Sequence, residues 1–142
     1  MIIAIVASLA LVLATVAMHY EGLRLIGRIS AHVTRERRKV LTSVLCVFAL
    51  HLLEISLYAA AYWFFDNIID IGSFTSVRAQ VGFDYFHFSA ETFTTLGMGD
   101  IYPEGPLRLL ASIETINGLL LLGWSTSFTF YEMQRHWTNE RG

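Results

Sequence analysis

Three stretches of the chain stay apolar for longer than an ordinary soluble helix, and polar segments separate them. Ile2 to Met18 is broken only by Ser8 and Thr15. At about 1.5 Å per residue it covers roughly 26 Å, slightly short of the ~30 Å bilayer core unless Met1, His19 and Tyr20 contribute. Val40 to Phe65 is interrupted by Thr42, Ser43, His51, Glu54 and Ser56, and it closes on Tyr62, Trp63, Phe64 and Phe65, a run suited to an interfacial aromatic belt. Leu107 to Phe130 begins just after Pro106 and ends before the polar tail 132–142. This pattern predicts three transmembrane helices. The segment between the second and third must then start and finish on one side of the membrane. Asp66 to Gly82 reads as an exposed turret rich in turn formers. Tyr85 to Thr94 carries Tyr85, Phe86, Phe88 and Phe93, too apolar for a solvent loop and too short to span, so a re-entrant helix is expected.

Composition agrees: 54% of the 142 residues are hydrophobic and 15% are charged, far from the make-up of a soluble domain. Charge placement adds orientation. Arg24, Arg28, Arg35, Arg37, Arg38 and Lys39 crowd the connection between the first two spans, and Arg135 and Arg141 follow the third, whereas Arg78 and Arg108 fall on the opposite side. The positive-inside rule puts the basic side in the cytoplasm, the N-terminus outside and the C-terminus inside, in the cell (plasma) membrane. A cleaved signal peptide is the competing reading of the first stretch, but it lacks a basic leading region, and cleavage would leave the basic connection outside. Leu23, Leu25, Ile26, Ile29 and Val33, interleaved with arginines, suggest an amphipathic linker over 21–39 lying on the inner membrane surface, where its basic side chains would meet anionic lipid. The alternative is a solvated linker. The single cysteine, Cys46, excludes a disulfide framework within one chain.

Thr94-Thr95-Leu96-Gly97-Met98-Gly99-Asp100 then stands out as a polar, glycine-punctuated segment at membrane depth. Non-helical backbone is tolerated there only where protein buries it or where it lines a water-filled cavity. Gly97 and Gly99 reach backbone angles that other residues avoid, so successive carbonyls can turn toward one axis, and four such strands would stack rings of oxygens around an ion. With a short helix before it, spans on both sides, and Asp100, Tyr102 and Pro103 after it, the stretch 83–130 resembles the pore domain of tetrameric potassium-channel-like proteins. "TTLGMGDIYP" stands where that family has TTVGYGD.

The resemblance implies an all-α integral membrane homotetramer: an additional N-terminal helix (1–20), the linker (21–39), a pore domain (40–131) and a short cytoplasmic tail (132–142). Within the pore domain it implies an outer helix 40–65, a turret 66–83, a pore helix 84–94, a filter 95–100 and an inner helix 107–131. By the same resemblance Thr95, Leu96, Gly97, Met98 and Gly99 form the filter, with K+ held at Thr95, Leu96, Gly97 and Met98. Met98 replaces the usual aromatic and offers no hydrogen-bond donor, so a K+-selective pore and a weakly selective pore that also passes Na+ both stand as readings. Glu91 and Asp100 occupy positions where some members have carboxyls sharing a proton behind the filter. His87, one turn before Glu91, would join them in a cluster that braces the filter and responds to external pH. Gly118 aligns with the family's hinge glycine, with close helix packing as its other reading. Leu122, Thr126 and Phe130 follow at helical spacing as cavity-lining residues, with Phe130 or Trp124 as a hydrophobic gate.

His51, Glu54, Glu114 and Asn117 lie inside spans, where an ionisable group is costly and by default functional unless a neighbouring helix satisfies it. Hydrogen bonding between helices is the favoured reading, with a neutral Glu54 reaching His51 or a polar group on another span. A proton-coupled carrier is the reading these residues would otherwise invite, and a non-conducting scaffold or modulatory subunit is a third. No catalytic constellation, phosphate loop or nucleic-acid patch is legible. The expected function is passive cation transport, with no enzyme activity, no nucleic-acid partner, and no cofactor beyond the permeant ion.

Overall fold

A computed structural model describes residues 1–76 and 84–139. Part of the expected turret, including Arg78, and Arg141 of the tail lie outside the described residues. Each predicted span is one long helix: α1, Ile2–His32; α2, Glu36–Asn67; and, after the re-entrant segment, α4, Leu107–Asn139. Each contains a window apolar enough to cross a membrane. At about 1.5 Å per residue all exceed roughly 45 Å, more than the hydrocarbon core requires. The re-entrant helix is α3, Asp84–Phe93.

Burial along these helices is the reverse of a soluble bundle. Ile2, Leu13, Leu45, Phe48, Leu119 and Leu120 are exposed, while Ser8, Thr15, His19, Glu54 and Glu114 are fully buried. Lipid tails are as apolar as leucine, so burying leucine between helices gains little, and close packing with polar contacts holds the helices together instead. On α1 the buried stripe runs Ala4, Ser8, Thr15, His19, Leu23, Ile26 and Ser30. It faces α2 and α4. Two apolar clusters frame the polar contacts. One joins Ile55, Tyr58 and Tyr62 of α2 to Phe88 and Phe93 of α3 and to Leu107, Leu110 and Leu121 of α4; the other joins Leu23 and Ile26 of α1 to Val47 and Leu50 of α2.

The second cluster corrects the expected boundary at residue 20. No separate linker begins there, because α1 continues to His32 and its Leu23 and Ile26 pack on α2 rather than on the lipid surface. Gly22 permits this approach, since a Cβ there would sit 2.6 Å from a Leu50 methyl. The helix breaks only at Val33, whose extended backbone leads into α2. A second addition to the all-α expectation is a small antiparallel pair, β1 (Phe74–Ser76) with β2 (Ile101–Pro103), in the register Phe74↔Pro103. It ties the chain just after residues 95–100 to the chain before α3. Glu104 N–H donates to Ser73 O at 2.8 Å, and Thr75 Oγ1 donates to Glu104 Oε1 at 2.5 Å.

Candidate functional site

Aromatic packing anchors α3. Phe88 meets Tyr62 and Phe74 edge-on at centroid distances of 5.1 and 5.0 Å, and Phe93 at the helix end meets the ring of His51 at 5.7 Å. The helix therefore delivers its C-terminus, the partially negative end of its dipole, to the start of the 95–99 strand. There the backbone alternates. Thr95, Gly97 and Gly99 have φ of 62°, 55° and 76°, and the residues between them do not enter the positive region.

Glu91 organises this strand. Its carbonyl accepts from the N–H groups of Leu96 (2.9 Å) and Gly97 (3.4 Å), and its carboxylate Oε2 accepts from Met98 N–H (3.0 Å). Consecutive amide N–H groups thus point back toward α3. In a planar trans peptide the preceding carbonyl points the opposite way, so the oxygens of Thr95, Leu96 and Gly97 all face away from α3. Positive φ at alternate residues is what allows this. At Thr95, a β-branched residue, it costs of order 1–3 kcal/mol and persists because the neighbouring contacts hold it. Leu96 and Met98 are each 63% exposed in the single chain.

The expected cluster behind the strand is assembled. His87 Nε2 lies 2.5 Å from Glu91 Oε1 and 4.0 Å from Asp100 Oδ2. Glu91 is buried, while His87 and Asp100 are partly open to solvent. A groove of about 890 Å³ runs from Glu91, Thr95 and Gly97 to Glu104, Arg108 and Thr115.

On α4 the inward face is Glu114, Asn117, Gly118, Leu121 and Ser125. Gly118 packs directly on the last turn of α3: a Cβ would collide with the Phe93 carbonyl oxygen and lie 2.9 Å from Phe93 C and Cα. Of the two readings of Gly118, close packing is the one that has a contact. Leu122 is half-buried, and Thr126 and Phe130 are exposed in the single chain, on a side of α4 left uncovered. Trp124 is exposed as well, on a different side of α4, with its ring 5.3 Å from His19 and 6.3 Å from Tyr20 of α1.

Glu54, Glu114 and Asn117 each have a hydrogen-bond partner on another helix, and His51 bonds to Glu54 within α2. Glu54 is fully buried, and its two oxygens accept from His19 Nδ1 of α1 and His51 Nδ1 of α2, both at 2.8 Å. His19 Nε2 is 3.3 Å from Ser125 Oγ of α4. Glu114 bonds to the Tyr62 hydroxyl of α2 and, at 2.6 Å, to Ser89 of α3. Asn117 donates to Thr15 Oγ1 (2.8 Å) and the Tyr58 hydroxyl (3.1 Å). Of these contacts only that of Glu54 with His51 is legible in the sequence; His19, Thr15, Tyr58, Tyr62, Ser89 and Ser125 enter with the structure. The spacing of Ser8, Thr15 and His19 along one face of α1 was the available signal.

Comparison with known proteins agrees with this geometry. A family profile described as ion channel matches residues 39–135, which covers α2 through most of α4. The chain is 32% identical over 93 residues to the inward rectifier potassium channel Kirbac3.1 of Paramagnetospirillum magnetotacticum, a match covering 63% of this chain and 29% of that protein. The chain thus spans well under half of that relative's length. No solved structure matches it. With a re-entrant helix, an alternating-φ strand and two flanking spans inside the matched region, the chain is an integral membrane protein of the ion channel family, built on the potassium-channel pore domain.

Proposed function

We propose that four copies of the chain surround one axis and pass K+ by passive diffusion through a stack of backbone carbonyls. The observation that carries this is the alternating strand 95–99, with the N–H groups of Leu96, Gly97 and Met98 all held on the α3 side. Carbonyls freed in one direction can replace the hydration shell of a cation. One strand cannot encircle an ion, so closure requires symmetric copies. Leu96 and Met98, large and uncovered in the single chain, then become contacts between neighbours. K+ is the favoured ion because the Kirbac3.1 relative is a potassium channel. A weakly selective pore that also admits Na+ is the second reading, because Met98 brings no donor with which to fix the ring diameter.

In this reading the connection between α1 and α2 lies in the cytoplasm, and the filter opens to the outside of the cell membrane. Arg24, Arg28, Arg35, Arg37, Arg38 and Lys39 then lie near the anionic leaflet, Arg24 also pairing with Glu21 at 2.9 Å. Phe130, on the uncovered side of α4, and Trp124 are the gate candidates. Glu54 and Glu114, held between helices, serve packing rather than proton-coupled carriage.

The test is cation uptake by proteoliposomes of the purified chain under a K+ gradient, with Gly97→Asp as the inactive control. K+-driven flux in the parent and its loss in Gly97→Asp are expected. No flux in the parent would favour a non-conducting scaffold, and saturable flux driven by a pH gradient would favour a carrier.

A further inference from the structure

The groups behind the strand do more than brace it. We propose that His87 Nε2, Glu91 Oε1 and Asp100 Oδ2 form a site for one divalent transition-metal ion, with Zn2+ as the best-fitting species, entered from the aqueous side of the filter. One nitrogen and two carboxylate oxygens from these residues lie within 4.8 Å of one another. Two ligands on a tetrahedral ion with bonds of ~2.1 Å stand roughly 3.4 Å apart. The observed separations of 2.5 Å and 4.0 Å from His87 Nε2 bracket that edge. An imidazole side chain 47% exposed can make the adjustment by rotating in its rotamer well.

An independent observation points to a missing ligand. Glu91 is 5% exposed, yet its Oε1 makes no hydrogen bond, although His87 Nε2 is in ion-pair contact with it. Asp100 Oδ1 is likewise buried without a partner. Buried carboxylate oxygens are ordinarily satisfied, and a cation at the convergence point would give Glu91 Oε1 a partner, as it would Asp100 Oδ1 if the carboxylate rotated to present that oxygen in place of Oδ2. Glu91 Oε2 is committed to Met98 N–H, so Oε1, whose contact is His87 Nε2 at 2.5 Å, is the oxygen that would coordinate once the imidazole turns aside.

Donor type selects the ion. One imidazole with two carboxylates suits Zn2+ and its neighbours Co2+ and Ni2+, whereas Ca2+ and Mg2+ favour all-oxygen shells with more ligands. Exposure at His87 and Asp100 leaves a coordination position for water. The other convergence of imidazoles and carboxylate, His19, His51 and Glu54, is different in kind. His19 and Glu54 there are fully buried and His51 nearly so, which gives an ion no entry.

An ion bound here would join α3 to the chain after the filter, across the residue whose other oxygen positions Met98. Its effect on conduction rests on the channel reading; its binding does not. The test uses the purified full-length chain in detergent, titrated with Co2+ and followed by the visible d–d absorption, then back-titrated with Zn2+. Expected is a saturable band at one Co2+ per chain, displaced by Zn2+. Affinity should fall by at least about tenfold in His87→Ala and in Asp100→Asn. It should be unchanged in His32→Ala, an exposed histidine at the far end of α1. Should His87→Ala fail to elute as the parent does, His87→Gln serves in its place. No band in the parent, or a band undiminished by both His87 substitutions, would overturn the site. Zn2+ on the filter side should then alter K+ flux in the parent but not in the His87 variant. Binding by a chain that passes no cations would leave the site standing and contradict the channel reading.

Discussion

Glu54→Leu is the most informative single perturbation of the bundle. Glu54 is fully buried and is the shared acceptor for His19 of α1 and His51 of α2. Leucine is similar in volume, so little cavity is left, and the cost comes from the lost acceptor. Interhelical hydrogen bonds in membrane proteins average ~0.6 kcal/mol and reach ~1.7, so losing two amounts to about 1–3 kcal/mol. Leaving imidazole donors buried and unpaired adds about 1 kcal/mol or more, for a total of roughly 2–4 kcal/mol. Glu54→Gln keeps one carbonyl acceptor and loses the other, so about half that penalty is expected. The assay is reversible unfolding in mixed detergent micelles, with a double-mutant cycle between His19→Phe and Glu54→Leu. A coupling of about 0.5–1.7 kcal/mol is predicted. Partial unfolding should release α1 first, read as proteolytic cleavage near Val33 under conditions where the parent resists. A Glu54→Leu penalty below about 0.5 kcal/mol, or a coupling of zero, would refute the claim that this triad fastens α1 to the channel domain.

Further predictions concern the strand and its supports. Gly118→Ala should destabilise the fold by about 1–3 kcal/mol and reduce flux, because the new methyl collides with the backbone of Phe93; thermal melting alongside proteoliposome uptake checks both. Gly97→Ala meets no atom within 4 Å in the single chain, so its cost is backbone strain of about 1–2 kcal/mol at φ 55°, expected as lost K+ flux with a nearly unchanged monomer fold by circular dichroism. Glu91→Leu removes the acceptor of Met98 N–H, at about 1–3 kcal/mol, and should lower the K+ over Na+ flux ratio, whereas Glu91→Gln, which retains a carbonyl, should preserve more of it.

The spans, the short helix α3 and the alternating backbone of residues 95–99 were legible because each has a local signature: hydrophobic length, an amphipathic decamer, and glycines at alternate positions. The cluster of His87, Glu91 and Asp100 was legible from helical spacing combined with the family resemblance. The continuation of α1 past residue 20 was not. Arginines among leucines read equally well as a surface-lying helix, and only the contact of Leu23 and Ile26 with α2 separates the two. The β1–β2 pair was invisible because three-residue strands carry no alternation to detect. His19 sat at the uncertain end of the first span, and its pairing with Glu54 joins residues far apart in sequence, which no local pattern reports.

The central claim is that the carbonyls of Thr95, Leu96, Gly97 and Met98 ligate the permeant ion. The direct measurement is a structure of the assembled protein with Tl+ or Rb+ in place of K+, locating the heavy ion by anomalous scattering. The account predicts density on a four-fold axis, at the levels of those carbonyls. An assembly without such an axis, or one with no ion density along the strand, would contradict it.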